Sequence, residues 1–426
     1  MDTIEITGVG SEMQGVGRLP DGRAAFVAGT LPGERVAARI VKDAGRYCEA
    51  ELVEVLEPSA HRIAPACAYN GTCGGCRIRH ADYAHTLELK RRRVTDAMAR
   101  IAGISDADVR GTVGCETPER TRNKAEYAVR GGRIGMIAAG GSGFVEIDDC
   151  LLQSEASIRV MRHAATLLRG TGIDGWLVTR TNADGEVMAI LSAQGAAPGW
   201  LCRLLEAEGV KSVYFCALKP RPVHALDGKI AHIAGARTIF ESLCSLLFEL
   251  SPQTFFQVNT RQAEILYSLA LDAADLDGTC ELLDAYCGCG TITLAAARRV
   301  GRALGVEIVA PAIQDARQNA EANGLSDKVR FICADAGAEI PRLVRAGGRF
   351  DRVILDPPRK GCDPALIDAL GFLKPERISY VSCDPATLAR DVKLLTARGF
   401  QLQWVTPVDM FPWTGHVECV ALMSKG

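Results

Sequence analysis

The sequence predicts an α/β protein with three parts. These are a small β-barrel over residues 1–60, a central α/β domain over 61–250, and a doubly wound α/β domain over 251–426. Three observations carry this. From residue 251 on, short apolar runs alternate with segments of helical periodicity, the pattern of a parallel sheet covered on both faces. The first 60 residues instead hold four or five short strand signals separated by Asp21-Gly22, Pro32-Gly33 and Ala44-Gly45, as a small barrel requires. Between these parts, residues 61–80 form a Cys- and Gly-rich loop unlike either.

Taken in order, Glu34–Lys42 and Cys48–Glu57 alternate or cluster apolar residues and read as barrel strands. Residues 81–103 have helical periodicity and stop at Gly103. Residues 120–150 read as strands with Gly turns, 155–170 as a helix, and 171–250 as mixed α/β. A helix over 260–274 precedes a strand at Cys280–Ala285, a Gly-rich turn and a helix at Thr291–Val300. Then come a strand at Arg302–Glu307 and a helix at Ala310–Asn323, whose Asn323-Gly324 end is a capping signal. Further strands are expected at Val329–Ala334, Arg352–Leu355, Ile378–Val381, Leu402–Val408 and Val417–Met423.

Composition narrows the function. With 426 residues, 48% hydrophobic and 23% charged, the chain is globular and exceeds one typical domain. No run is long and apolar enough to span a bilayer, and the start lacks a basic and apolar leader, so no membrane partner is expected. The 16 cysteines are too dispersed for a disulfide scaffold. They point to a reducing, cytoplasmic setting in which thiols serve metals and catalysis. Net charge is −2, yet residues 61–133 hold 14 Lys and Arg against 8 Asp and Glu. Lys90-Arg91-Arg92-Arg93 and Arg120, Arg122, Lys124, Arg130 and Arg133 make this a basic middle suited to phosphates. The 90–93 run alone reads as a solvated helix face. A monomer is the default expectation.

Four motifs carry chemistry. Asp284-Ala285-Tyr286-Cys287-Gly288-Cys289-Gly290-Thr291 joins a strand to a helix without the third glycine of a dinucleotide fingerprint. With Glu307, Asp335 and Asp356 at successive strand ends, it suits a cationic ligand that carries hydroxyls, and S-adenosylmethionine fits that description. Leu355-Asp356-Pro357-Pro358-Arg359-Lys360-Gly361 holds an acid on a rigid extended turn, able to fix a planar base. Cys67, Cys73 and Cys76 lie on one short loop and can converge on a metal, with Cys150 as the fourth candidate ligand. Zinc and an iron–sulfur cluster both suit thiolates, and spacing does not choose between them. Finally, Cys383 ends a buried strand and Glu418 lies on a later one. A thiol and a carboxylate so delivered can attack a carbon and then remove a proton from its neighbour, as alkylation of an unactivated pyrimidine carbon requires. The remaining cysteines, among them Cys202, Cys333 and Cys362, read as small buried thiols.

Together these motifs resemble the S-adenosylmethionine-dependent RNA (uracil-5-)methyltransferases. Ser251-Pro252-Gln253-Thr254-Phe255-Phe256-Gln257-Val258-Asn259, Gly305-Val306-Glu307, Asp356-Pro357-Pro358-Arg359, Ser382-Cys383-Asp384-Pro385 and Phe411–Glu418 fall in the family's order. The resemblance implies a TRAM-like RNA-binding barrel, a Rossmann-like methyltransferase domain, and a [4Fe–4S] cluster on Cys67, Cys73, Cys76 and Cys150. It implies Gln257, Tyr286, Thr291, Glu307, Asp335 and Asp356 as contacts of the methyl donor. The chain departs from the family pattern at Arg79, where Gln is common, at Trp413, where His is common, and at Thr121, where an aromatic is usual.

The mechanism expected from that resemblance has Cys383 adding to C6 of a uridine, C5 taking the methyl group, and Glu418 removing the C5 proton, with Asp356 holding the base. The combination of barrel and four-Cys site resembles members acting on 23S ribosomal RNA more than those acting on tRNA. Two rivals stand beside this reading. A cytosine-5 RNA methyltransferase wants a second catalytic thiol, but Cys362 lies six residues beyond Asp356, past the Asp356–Gly361 turn, and Glu418 is left unexplained. A non-catalytic RNA-binding or chaperone protein leaves both Cys383 and Glu418 unexplained.

Overall fold

The computed structural model describes residues 2–426. Strands β1 (Asp2–Val9), β2 (Gly15–Arg18), β3 (Ala24–Val27), β4 (Arg35–Asp43) and β5 (Tyr47–Glu57) close into a barrel in the order β1-β2-β3-β5-β4. Alternation explains the closure. Ile4, Ile6, Ala25, Val27, Val36, Ala38 and Cys48 fill the interior, and on β1 the residues between them face outward.

Helix α1 (Tyr83–Ala97) is capped by Asp82, which accepts the His85 N–H. It ends in a single wide turn over Met98–Ala102 that Gly103 closes at φ +78°. Strands β6 (Lys124–Arg130), β7 (Arg133–Ile137) and β8 (Phe144–Glu146) precede α2 (Glu155–Leu168). With β9 (Gly175–Thr181), β10 (Val187–Ala193), β11 (Val210–Leu218) and β12 (Gly228–Gly235) they make one sheet, ordered β12-β11-β10-β9-β6-β7-β8. Residues 171–250 therefore prove almost wholly β, since their only helical turn is Leu201–Glu206. The hairpin of β13 (Ile239–Leu243) and β14 (Leu246–Leu250) stands apart from that sheet. Its inward residues share a core with the C-terminal elements.

The C-terminal part runs α3 (Thr260–Ala274), β15 (Glu281–Asp284), α4 (Thr291–Ala297), β16 (Arg302–Glu307), α5 (Ala310–Ala322), β17 (Val329–Cys333), α6 (Ala336–Arg345) and β18 (Arg352–Leu355). It continues through α7 (Pro364–Leu373), β19 (Arg377–Ser382), α8 (Pro385–Thr396), β20 (Phe400–Val408) and β21 (Glu418–Lys425). The sheet order is β17-β16-β15-β18-β19-β21-β20. The expected parallel, doubly wound sheet is present, with one difference: β21 is antiparallel to both β19 and β20. Only the loop 409–417 joins β20 to β21, too short for the crossover a parallel return needs. That reversal places the first residue of β21 at the edge where β19 ends.

Two expectations need correction. In the 90–93 run, Lys90 is fully buried and Arg93 partly so, because α1 packs on the C-terminal sheet instead of facing water. Val94, Met98 and Val109 join Leu395, Phe400 and Val405 in one core. Among the cysteines taken as buried, Cys202 and Cys333 are exposed, while Cys287, Cys289, Cys362 and Cys419 are buried as expected.

Candidate active site and thiol cavity

The crevice lies outside the ends of β15, β16, β17, β18 and β19. At its centre Asp284 is fully buried and accepts hydrogen bonds from Thr293 Oγ1 (2.6 Å) and Tyr286 N (3.4 Å). Burial pushes its carboxyl up to about 6, against the Thr293 bond. This acid locks the turn from inside. Gly290 follows at φ +86°, where a Cβ would meet Ala316 and Phe331 at 3.2 Å, so only glycine suits the turn. Glu307 ends β16 and accepts N–H groups from Gly288 (3.3 Å) and Val309 (2.8 Å), which aims it along the turn. Ile308 and Val309 beside it are exposed and give the crevice an apolar rim.

The other predicted contacts gather around the same edge. Thr291 opens α4 and shares a hydrogen bond with Tyr267 Oη (3.2 Å). The Gln257 carbonyl accepts from Asn123 Nδ2 (2.9 Å). Tyr286 Oη accepts the Asp363 N–H at 3.5 Å. Asp335 follows β17 and caps α6 by accepting the Ala338 N–H (3.1 Å). Asp356 follows β18; burial and then Asp284 push its carboxyl up to about 7.

Cys383 and Glu418 are brought together by register. Ser382 pairs with Cys419 across β19 and β21, so one further step sets Cys383 opposite Glu418. Burial pushes the Cys383 thiol up to about 11, with Glu418 and Asp356 adding to the shift and Arg359 opposing it. Burial, reinforced by Asp356 and opposed by Arg359, pushes Glu418 up to about 8. The thiol and two carboxyls thus form one coupled, desolvated group whose facing cation is Arg359.

Sequence reasoning passed over four residues that hold this site. Asp391, fully buried on α8, accepts from Cys362 N (2.8 Å) and from Tyr380 Oη (2.6 Å). Thr387 and Arg390 on the same helix donate to the carbonyls of Arg359 (3.0 Å) and Lys360 (2.8 Å). The loop after Asp356 is therefore fastened to the helix that follows Cys383. Arg180, buried on β9, donates to the Thr254 carbonyl (2.6 Å) and fixes the loop that carries Gln257. The i, i+4 spacing of Thr387 and Asp391 on a helix beginning Asp384-Pro385 was a legible signal; Arg180 had none.

The four predicted thiols also meet. Cys67, Cys73, Cys76 and Cys150 line one cavity with Arg79, Arg122 and Gln153. Among the described residues, no group of three or more His, Cys, Asp or Glu side chains is arranged to hold a metal ion, these thiols included. Arg79 Nη2, Arg122 Nε and Gln153 Oε1 are buried there without hydrogen-bond partners. Cys362 instead packs at 3.6 Å from Tyr380 Oη, in the α8 network, and is pushed up to about 12 chiefly by burial.

Comparison with known proteins agrees with this architecture. The sequence model of the tRNA (Uracil-5-)-methyltransferases matches residues 244–426, and that of the TRAM domain matches residues 3–53. An uncharacterized RNA methyltransferase of Caldanaerobacter subterraneus subsp. tengcongensis is 39% identical, over 99% of this chain and 97% of its own. One from Halalkalibacterium halodurans is 36% identical over the same shares. The crystal structure of the Pyrococcus abyssi tRNA (uracil-54, C5)-methyltransferase with S-adenosyl-L-homocysteine superposes with a TM-score of 0.79 at 25% identity, covering 99% of this chain and 100% of that one. The chain belongs to the TRAM-containing RNA (uracil-5-)methyltransferase family and is an RNA (uracil-5-)methyltransferase dependent on S-adenosylmethionine.

Proposed function

We propose that this protein methylates C5 of a specific uridine in 23S ribosomal RNA through a covalent adduct on Cys383. The register that sets Cys383 opposite Glu418, with Asp356 on the neighbouring strand end, carries the reading. The target base leaves its stack to enter the crevice. Arg359 favours the thiolate of Cys383, which adds to C6 of the base. The C5–C6 electron pair becomes available at C5. S-Adenosylmethionine, held by Gln257, Tyr286, Thr291, Glu307, Asp335 and Asp356, supplies the methyl group. The ionised Glu418 then takes the C5 proton, the C5=C6 bond re-forms, and the Cys383 Sγ–C6 bond breaks to release the thiolate. Asp356 hydrogen-bonds the base and holds it in line.

The donor set around the thiol cavity fits a [4Fe–4S] cluster held by Cys67, Cys73, Cys76 and Cys150. The four cysteines line one cavity, and the unpartnered Arg79 and Arg122 nitrogens beside them suit the negative charge of a thiolate-bound cluster. Such a cluster would join two distant chain segments.

A second substrate reading, tRNA, has its own support: the Pyrococcus abyssi tRNA enzyme matches this chain from end to end, so domain content alone does not separate the two RNAs. Methyl transfer from labelled S-adenosylmethionine to unmodified ribosomal RNA and unmodified tRNA, followed by nucleoside analysis, tests both. 5-Methyluridine in ribosomal RNA alone is the expected result. The same product in tRNA alone would replace the substrate, and a Cys383→Ala protein that still turned over would remove the covalent mechanism.

A further inference from the structure

Glu418 opens β21, and the loop before it, 409–417, is held largely from outside the C-terminal sheet. The segment just after Cys76 supplies one set of holds. Arg77 N and Ile78 N donate to the Trp413 carbonyl at 2.8 and 3.3 Å. The Arg79 guanidinium lies 4.9 Å from the centre of the Trp413 ring, and the Tyr83 ring lies 5.3 Å from it. Both side chains are buried, Arg79 at 3% exposure and Trp413 at 7%. Trp413 has φ +64°, a left-handed conformation that a tryptophan adopts only where its surroundings impose it. Arg79 also lines the thiol cavity beside Cys76, and it donates to Glu119 at 2.8 Å. One buried cation therefore both lines the thiol cavity and faces the ring whose strained backbone leads to Glu418.

We propose that Arg79 and Trp413 are positioning residues that transmit the state of the Cys67–Cys76 loop to Glu418, so that an ordered thiol site is required for the proton-removal step of methyl transfer. This rests on the assignment of Glu418 as the base. The physical argument is rigidity. A desolvated cation–π contact and two backbone hydrogen bonds leave the loop one arrangement while the Cys loop is ordered. Without them, the left-handed Trp413 relaxes and Glu418 loses its place opposite Cys383. An offset of about 1 Å in a general base is enough to cost on the order of 100-fold in rate.

The test compares Arg79→Gln, Trp413→Ala, the conservative Trp413→Phe, and Glu418→Gln as control, each in the full chain. Expected for Arg79→Gln and Trp413→Ala is a fall in kcat of about 10- to 100-fold, with native affinity for S-adenosylmethionine. Protein–RNA adduct should accumulate on a denaturing gel, since addition and methylation proceed while proton removal lags. Trp413→Phe keeps the aromatic face and should recover most of the rate. The double variant Arg79→Gln/Trp413→Ala should be no slower than the worse single one, as expected of one shared contact. Iron content per chain should stay native in Trp413→Ala, which separates the link from loss of the site itself. Native kcat in both single variants, or a fall in kcat without adduct, would overturn the link, provided Glu418→Gln traps adduct. Failure of Glu418→Gln to trap adduct would instead overturn the assignment of the base.

Discussion

At the scale of the residue, the site gathers three acids, Cys383, Glu418 and Asp356, in a place that disfavours charge on all of them. Arg359 faces the first two from an exposed position. Replacing it by glutamine removes the one influence from a cation that lowers both. On the proposed mechanism kcat/KM should rise with pH as Cys383 and Glu418 ionise, and this rise should move to higher pH, with the largest loss of rate near neutrality and partial recovery above pH 9. Parallel pH profiles of native and Arg359→Gln protein would show this; coincident profiles would remove Arg359 from the ionisation of the pair. Glu418 also has a consequence for stability. Its folded carboxyl holds a proton up to about pH 8, whereas its ordinary value is 4.5. Stability from this group is complete below pH 4.5 and is lost as pH rises through about 8. Glu418→Gln cannot ionise, so it should be more stable than the native chain at pH 9 and no more stable at pH 4. A tenfold change in proton affinity is worth about 1.4 kcal/mol, so the gain should reach a few kcal/mol. Urea unfolding at the two pH values measures it.

At the scale of the element, α1 does more than the sequence pattern suggests. Its Lys90 forms a fully buried ion pair with Asp409 and donates to the Phe411 carbonyl at 3.0 Å, while Tyr83 Oη donates to Asp409 at 2.8 Å. Burial depresses the Lys90 ammonium and Asp409 works against that. Removing one partner strands the other, so Lys90→Met should destabilise the chain by about 3–5 kcal/mol. Lys90→Met with Asp409→Asn should lose less than the sum of the single changes, as thermal unfolding of the four proteins would show. Such a role was not legible in Lys90-Arg91-Arg92-Arg93, because a run of charges does not reveal which face of its helix meets another element. What was legible had local causes. Asn323-Gly324 and Gly103 end helices because the chain there needs special backbone geometry. The strand ends carrying Asp284, Glu307, Asp356 and Cys383 were readable because apolar runs stop there. By contrast α6, α7 and α8 were passed over, although Asp363-Pro364 and Asp384-Pro385 are capping signals. The reversal of β21 depends on loop length and sheet order together, which no single segment displays. Arg79 and Trp413, two separate departures in the sequence, prove to be one contact, visible only once distant segments are folded together.

At the scale of the whole molecule, the loop before Glu418 is where three parts of the chain meet. The central segment holds Trp413, α1 holds Asp409, Phe411 and, through Arg93, the Gly415 carbonyl, and the barrel closes over Gly415. A Cβ on Gly415 would stand 2.9 Å from the Ser11 carbonyl oxygen and 3.4 Å from Glu12 backbone atoms, between β1 and β2 of the barrel. Those neighbours are backbone and cannot swing aside as a flexible side chain would. Gly415→Ala must therefore displace either the barrel turn or the loop leading to Glu418. Because most of the proposed methyl-donor contacts lie at β15, β16 and β17, away from β21, affinity for S-adenosylmethionine should stay native. Affinity for RNA and kcat should fall together, the first because the barrel shifts against the basic middle of the chain, the second because Glu418 shifts against Cys383. Gly8→Ala, on β1 with open space around it, is the matched control and should change neither. Calorimetric titration with S-adenosylmethionine, RNA binding at a fixed salt concentration and single-turnover methylation of all three proteins would separate these effects. A Gly415→Ala protein with native RNA affinity and native kcat would show that the barrel turn yields freely, and that the barrel takes no part in placing the base.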